Sequence, residues 1–309
     1  MTWLYILLSL LGFLITIYIL TLLVLFLALT SRSSNKHNVF DNKFMKRSIK
    51  KEYTDIIQEH TNNLNKYDMG VVHITSKDGL RLEGYYYHVS NPKGVLLACH
   101  GFRSDPYFAC SVVIDNFLKR GYDVLAISER GHSNSEGRHI TFGVKESEDI
   151  LAWVKYLSNS SLSIYLYGIS MGGSACCLAS RYLPNTVKFI IADCGFSSIE
   201  ETFRHFLKMY HLPTFLLYKP LVYLCKIWAH FKITDGDVSK ALEKSSIPII
   251  FIHGKDDDIV PYECGLKNYE AFKGEKLFIL CEGAHHAVGY LKKMDECEKA
   301  FSEWLSKYK

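Results

Sequence analysis

No Cys-x-x-Cys and no His-Glu-x-x-His occurs in the chain, so nothing in the sequence points to a metal site. Gly-x-Gly-x-x-Gly and the phosphate-binding loop are absent as well, which leaves no cofactor to expect. There is no internal repeat, Gly/Ser-rich linker or low-complexity stretch. The nine cysteines are odd in number and irregularly spaced, which fits a reducing compartment better than a disulfide framework. The most telling absence is of charge: Trp3 to Leu29, 27 residues, contains no Asp, Glu, Lys, Arg or His, and only Ser9, Gly12, Thr16 and Thr21 interrupt its apolar character. At roughly 1.5 Å per residue such a helix crosses a hydrocarbon core of about 30 Å with length left for tilt. No Lys or Arg precedes the run, and Ala28-Leu29-Thr30 is a poor cleavage site. Residues 1–30 are therefore expected to be an uncleaved single-pass anchor rather than a signal peptide.

Charge returns at once after this run. Arg32, Lys36, Lys43, Lys46, Arg47, Lys50 and Lys51 follow it, with no basic side chain before it. The positive-inside rule then puts everything downstream in the cytoplasm, with 31–69 a basic juxtamembrane linker suited to anionic lipid. The cluster is short and membrane-adjacent, and no nucleic-acid partner is expected from it.

From residue 70 onward the pattern changes. Apolar runs at 71–76, 81–88, 94–99, 122–128, 163–167, 188–193, 247–252 and 276–281 read as strands, the inner ones almost wholly apolar, as in parallel strands covered on both faces. Helical patterns lie near 106–120, 144–158, 171–183, 262–273 and 287–307. Alternating strand and helix implies an α/β fold with a doubly wound, mostly parallel twisted sheet of about eight strands. Lys77-Asp78-Gly79 is a turn signal that makes the first two strands an antiparallel hairpin at the edge. Between the strands at 188–193 and 247–252 lies an insertion, approximately 197–245, rich in Phe, Tyr and Leu and longer than one crossover helix needs. It can supply core helices, an acyl pocket or a surface that dips into a bilayer.

Residues 167–173, Tyr-Gly-Ile-Ser-Met-Gly-Gly, stand between a predicted strand and a predicted helix. In a strand–Gly-x-Ser-x-Gly–helix turn the glycines let the two elements pass closely and the serine is strained and exposed, so Ser170 is the candidate nucleophile. A serine hydroxyl needs an imidazole to take its proton and a carboxylate to orient that imidazole. Downstream, a strand runs into His253-Gly254-Lys255-Asp256-Asp257-Asp258-Ile259-Val260-Pro261, and the next ends in Glu282-Gly283-Ala284-His285-His286-Ala287. Acid and histidine thus follow the serine in the order this turn requires, although three adjacent aspartates, Asp193 and two adjacent histidines compete for the roles.

With His100-Gly101-Phe102 after a strand and Arg130-Gly131-His132-Ser133-Asn134-Ser135-Glu136-Gly137, these motifs over roughly 70–305 resemble the α/β-hydrolases, in particular the serine-aminopeptidase and lysophospholipase-like branch that includes membrane-anchored bacterial esterases. The resemblance implies that Asp257 is the acid, four residues after the His of His-Gly, and that His286, followed by Ala287, is the base. It implies an oxyanion hole from the backbone N–H groups of Met171 and Phe102 and a helical cap over the site. His253, His100 and Arg130 fall to bracing roles. The chain departs from the family where an Asp two residues before the Arg is common: here Ser128 stands there, followed by Glu129.

The expectation is a serine hydrolase, carboxylesterase- or lipase-like, for small-molecule acyl esters or lipids, over a catalytic domain spanning 70–309. A peptidase, thioesterase or acyltransferase would use the same three groups, whereas a non-catalytic membrane scaffold would have no use for them. Every candidate site residue lies beyond Glu52, so a chain starting there is expected to remain soluble and to cleave short esters.

Overall fold

The computed structural model describes residues 2–33 and 51–309, apart from the side chain of Glu52. Of the basic cluster, Lys36, Lys43, Lys46, Arg47 and Lys50 lie outside the described residues. In chain order the elements are α1 (Thr2–Thr30), α2 (Lys51–Leu64), β1 (Asp68–Thr75), β2 (Arg81–His88), β3 (Val95–Cys99), α3 (Ser111–Lys119), β4 (Asp123–Ile127), α4 (Val144–Leu157), β5 (Ile164–Ile169) and α5 (Met171–Ala179). They continue with β6 (Val187–Asp193), α6 (Ile199–Met209), α7 (Thr214–Ile227), β7 (Ile249–Gly254), α8 (Tyr262–Ala271), β8 (Lys276–Cys281) and α9 (Met294–Lys307).

All eight strands join one sheet in the order β1-β2-β4-β3-β5-β6-β7-β8. β2 is antiparallel to β1 and β4, and every other pair is parallel. The period-two alternation of strands divides the apolar runs between two cores. Val95, Leu97 and Cys99 of β3 face a layer built with α1, α4, α5 and the cap, while Leu96 and Ala98 face α2, α3 and α9. That is why β3, β5 and β7 are buried at every position, whereas edge strand β1 keeps its polar and exposed residues.

Element boundaries differ from the sequence pattern in places that have a local cause. β1 begins at Asp68 because Asp68 and Met69 pair with His88 and Tyr87, positions the apolar run does not mark. The helix expected over 106–120 is broken at Cys110 (φ −112°, ψ 0°) after a short turn capped by Asp105. α5 closes at Ala179 and tightens into a 3-10 turn through Tyr182.

α1 is long and apolar enough to cross a membrane. Its surface changes character along its length. Thr2 to Ile17 are exposed throughout, whereas Leu22, Phe26 and Thr30, four residues apart and hence on one face, are buried against the rest of the protein. The Phe26 ring meets Trp228 edge-on at 5.8 Å and His139 at 5.7 Å. The Tyr18 hydroxyl donates to the Leu216 carbonyl (3.1 Å), and the N–H of Ile140 donates to the Thr30 carbonyl (2.7 Å). Just past the helix, the N–H groups of Arg32 and Ser33 donate to the carbonyls of Arg138 and Gly131. The segment that the sequence presents only as an apolar run is thus also a docked element of the fold.

Candidate active site

β5 runs into α5 through the tight turn at Ser170, and the turn explains its glycines. A Cβ on Gly168 would stand 2.4 Å from the Gly172 carbonyl oxygen, and one on Gly172 would stand 2.3 Å from the Cys99 carbonyl oxygen. Both contacts are with backbone, so neither can be relieved by a side-chain shift. Ser170 takes φ 55°, ψ −118°, a conformation costly for a non-glycine residue and held by its N–H donating to the Asp193 carbonyl at 2.8 Å. α5 beyond it consists of small buried residues, among them Ser174, Ala175, Cys176 and Cys177, which let the helix lie close on the sheet. The adjacent cysteines are free and buried, and they act as packing groups.

Three loops at the C-terminal ends of β5, β7 and β8 converge. Ser170 Oγ lies 2.9 Å from His286 Nε2, and His286 Nδ1 lies 2.7 Å from Asp257 Oδ2. The pairing fixes the tautomer: Nδ1–H donates to the carboxylate, and the bare Nε2 faces the hydroxyl. Asp257 Oδ1 accepts from the N–H groups of Ile259 (3.0 Å) and Val260 (2.8 Å), so both carboxylate oxygens are engaged. Burial alone would raise the Asp257 pKa, but His286 and His253 outweigh it and hold the carboxyl far below the usual range. Burial likewise disfavours a charged His286, yet the Asp257 charge prevails and carries the imidazole well above its ordinary value.

The competing residues fall elsewhere. His285 is exposed, as are Asp256 and Asp258. Asp193 is buried beneath the turn, where burial pushes its carboxyl up to about 6, and it accepts from the Tyr167 hydroxyl at 3.2 Å. His253 donates from Nε2 to the Val260 carbonyl (2.8 Å) and so shapes the loop that carries Asp257. His100 is held neutral by burial, with its pKa lowered to about 4. Its Nδ1–H donates to the Gly101 carbonyl and its Nε2 accepts from the N–H of Glu129. His132 Nε2 accepts the Arg103 N–H (3.0 Å) in the same way. Two buried neutral imidazoles therefore tie the loop after β3 to the loop after β4. Arg130 anchors the latter through paired hydrogen bonds to Asp149 and further bonds to Asp78. Beside it the Glu129 carboxyl is buried with no hydrogen-bond partner among the described residues, and burial pushes its pKa well above the usual carboxylate range.

Phe102 and Met171 border the same cavity as Ser170, and neither backbone N–H has a hydrogen-bond partner among the described residues. Gly101 approaches so closely that a Cβ there would stand 3.2 Å from Ser170 Cβ. The loop after β3 and the start of α5 thus present two free donors beside the hydroxyl, where negative charge would develop on an attacked carbonyl.

One cluster could in principle hold a metal: ligand atoms of Cys194, Asp257 and His286 lie within 4.8 Å of one another. Their donors are already committed, since Asp257 Oδ2 and His286 Nδ1 bond each other and His286 Nε2 faces Ser170. The Cys194 thiol is pushed up to about 11 by burial, so the thiolate a metal prefers is disfavoured. The arrangement fits a proton relay and not a metal centre.

Ser170 and His286 lie at the wall of a cavity of about 700 Å³. Its lining is mainly apolar, from Phe102, Phe142, Phe196, Phe203, Phe206 and Leu207. The aromatic insertion thereby divides: Phe203 and Leu207 are core and cavity wall, Leu221 and Phe231 are core alone, and Phe215, Tyr223 and Trp228 remain exposed. Leu25, Ala28 and Leu29 of α1 also border the cavity. These three carry no motif, and the sequence analysis missed them.

A family model described as the alpha/beta hydrolase fold matches residues 94–214. The chain is 27% identical to the protein YqkD of Bacillus subtilis over 83% of its own length and 88% of that protein. It is 25% identical to a bifunctional esterase/perhydrolase of Acinetobacter calcoaceticus over 66% and 89% of the two chains. Among solved structures, an esterase of Pyrococcus furiosus superposes with a TM-score of 0.64 at 24% identity, over 79% of this chain and 92% of that one. An acetyl xylan esterase of Thermoanaerobacterium superposes with a TM-score of 0.58 at 13% identity, over 85% and 95%. The sheet order, the serine turn and these matches agree on one architecture: the chain has the alpha/beta hydrolase fold.

Proposed function

We propose that the protein is a membrane-anchored serine hydrolase that cleaves carboxylic esters of acyl or lipid-like substrates through an acyl-enzyme on Ser170. The observation that carries this reading is the unbroken hydrogen-bond path from Ser170 Oγ through His286 to Asp257 beside a largely apolar cavity. In the reaction, Ser170 Oγ attacks the ester carbonyl as its proton passes to His286 Nε2, and Asp257 stabilises the resulting imidazolium. The N–H groups of Phe102 and Met171 take the oxyanion, Met171 with help from the N-terminal end of α5. His286 returns the proton to the leaving alcohol. Water, activated by the same imidazole, then releases the acid and frees Ser170.

The cavity lining favours an acyl chain over a peptide, which ranks this reading above the peptidase alternative, while a thioesterase or acyltransferase would take the same chain. A panel of 4-nitrophenyl esters of rising chain length, assayed beside aminoacyl amides, tests it. Hydrolysis of the esters with little or no amide cleavage is expected, and the reverse order of preference would overturn it.

The same proposal takes residues 1–30 as a retained anchor and the catalytic domain as cytoplasmic; the linker expected over 31–69 is shortened, because α2 packs on α3 with Ile57 and Leu64 in the core and β1 begins at Asp68. Contacts of Leu25, Ala28 and Leu29 with the cavity support retention of α1, because cleavage would remove a wall of the pocket. Full-length protein should stay with membranes through carbonate washing, and protease added to intact cells should leave the catalytic domain uncut. Release by carbonate would sink the anchor, and digestion in unbroken cells would sink the orientation alone.

A further inference from the structure

Thr2 to Thr21 make up the part of α1 with no buried residue. Twenty residues at ~1.5 Å each come to about 30 Å, the thickness of a hydrocarbon core. Burial on the protein begins at Leu22, where the bilayer would end, and the cavity wall begins one turn later at Leu25. The mouth of the cavity is thereby set at the membrane surface. The neighbouring cap helix α7, in contact with α1, exposes Phe215 (87%), Leu216 and Tyr223, and Trp228 follows at its end, 50% exposed. Exposed aromatic side chains beside a membrane span suit the boundary between acyl chains and headgroups. Ala28 borders the cavity while remaining exposed, so the cavity is open along α1.

Resting on the reading of Ser170 as the nucleophile of an esterase, we propose that the anchor is itself part of the substrate site. Substrate is an acyl amphiphile dissolved in the adjoining leaflet, and it passes from the bilayer along the Leu25–Leu29 face of α1 into the cavity. Leu25, Ala28 and Leu29 then act as specificity-determining residues that select for a long chain. The ester stays at the headgroup level, within reach of Ser170, while the chain exchanges one apolar surrounding for another. The aqueous transfer of a free chain, costly in proportion to its apolar area, is avoided.

The test uses full-length protein in phosphatidylcholine vesicles. In Ala28→Trp the indole fills the opening, and the ratio of kcat/KM for a dodecanoate ester to that for an acetate ester should fall at least about tenfold, as expected when two or more methylenes lose their burial. Val24→Trp, on the same helix at an exposed position outside the cavity lining, should leave that ratio as in wild type. In a second arm, a fixed amount of a bilayer-resident monoacyl ester is diluted with added phosphatidylcholine. The rate should follow its mole fraction in the membrane. An unchanged chain-length ratio in Ala28→Trp, or a rate indifferent to dilution within the bilayer, would overturn the inference. Acetate hydrolysis and fluorophosphonate labelling of wild type report separately on Ser170: if both are absent, the esterase reading itself fails, and if both persist, only the role of the anchor does.

Discussion

Ser170→Ala should lower kcat for ester hydrolysis by on the order of 10⁶-fold and abolish labelling by a fluorophosphonate probe, with the fold unchanged. Loss of the hydroxyl removes the covalent route altogether, leaving only what binding and the two N–H donors can do for attack by water. Alanine keeps a Cβ, so the strained φ of 55° is neither relieved nor worsened, and the turn is still pinned by the Asp193 carbonyl. Thermal unfolding of the variant should therefore match wild type. Equal labelling of variant and wild type would remove Ser170 from the reaction.

The second large effect belongs to Asp257→Asn, expected to reduce kcat by about 10⁴-fold. Asparagine can hold the geometry, but it supplies no charge to stabilise the imidazolium, and its amide can select the wrong tautomer of His286. A pH profile separates this from simple disruption. In wild type the Asp257 charge raises the His286 pKa against the effect of burial, so kcat/KM should rise with pH through a value above that of free imidazole, ~6.5. In Asp257→Asn the burial remains and the charge is gone, so the acid limb should move to lower pH while the plateau falls. His286→Ala should be at least as damaging and should lose the limb. If His285→Ala or Asp193→Asn proved as harmful while His286→Ala and Asp257→Asn were mild, the assignment of base and acid would be wrong.

Much of the fold was legible because each strand of this sheet is a short apolar run bounded by turn residues, and because the serine turn demands glycine at two backbone contacts. The choice among neighbours was harder. Asp256, Asp257 and Asp258 share one composition, as do His285 and His286, and only the curl of each loop decides which side chain points inward. The family resemblance pointed to Asp257 and His286, and local propensity did not. Burial of Asp193 and Glu129 was not legible, because a carboxylate at a strand end looks the same whether it faces solvent or core. Least legible was the docking of α1. Hydropathy averages over all faces of a helix, and in an uncharged run the face of Leu22, Phe26 and Thr30 does not stand out from the others. Its partners, such as the Leu216 carbonyl 198 positions away, are set by tertiary contact alone.

That separation bears on the order of synthesis. α1 leaves the ribosome before the surface that receives Tyr18 and Phe26, at Leu216 and Trp228, which is made about two hundred residues later. Until then the helix has no partner from the cap for its docking face. In the anchored form proposed above, insertion would serve as a holding step for folding, with the catalytic domain closing onto a helix already fixed in place. Chains produced without a membrane to insert into would carry that face exposed throughout translation, and their loss to aggregation would follow from timing rather than from any weakness of the finished structure.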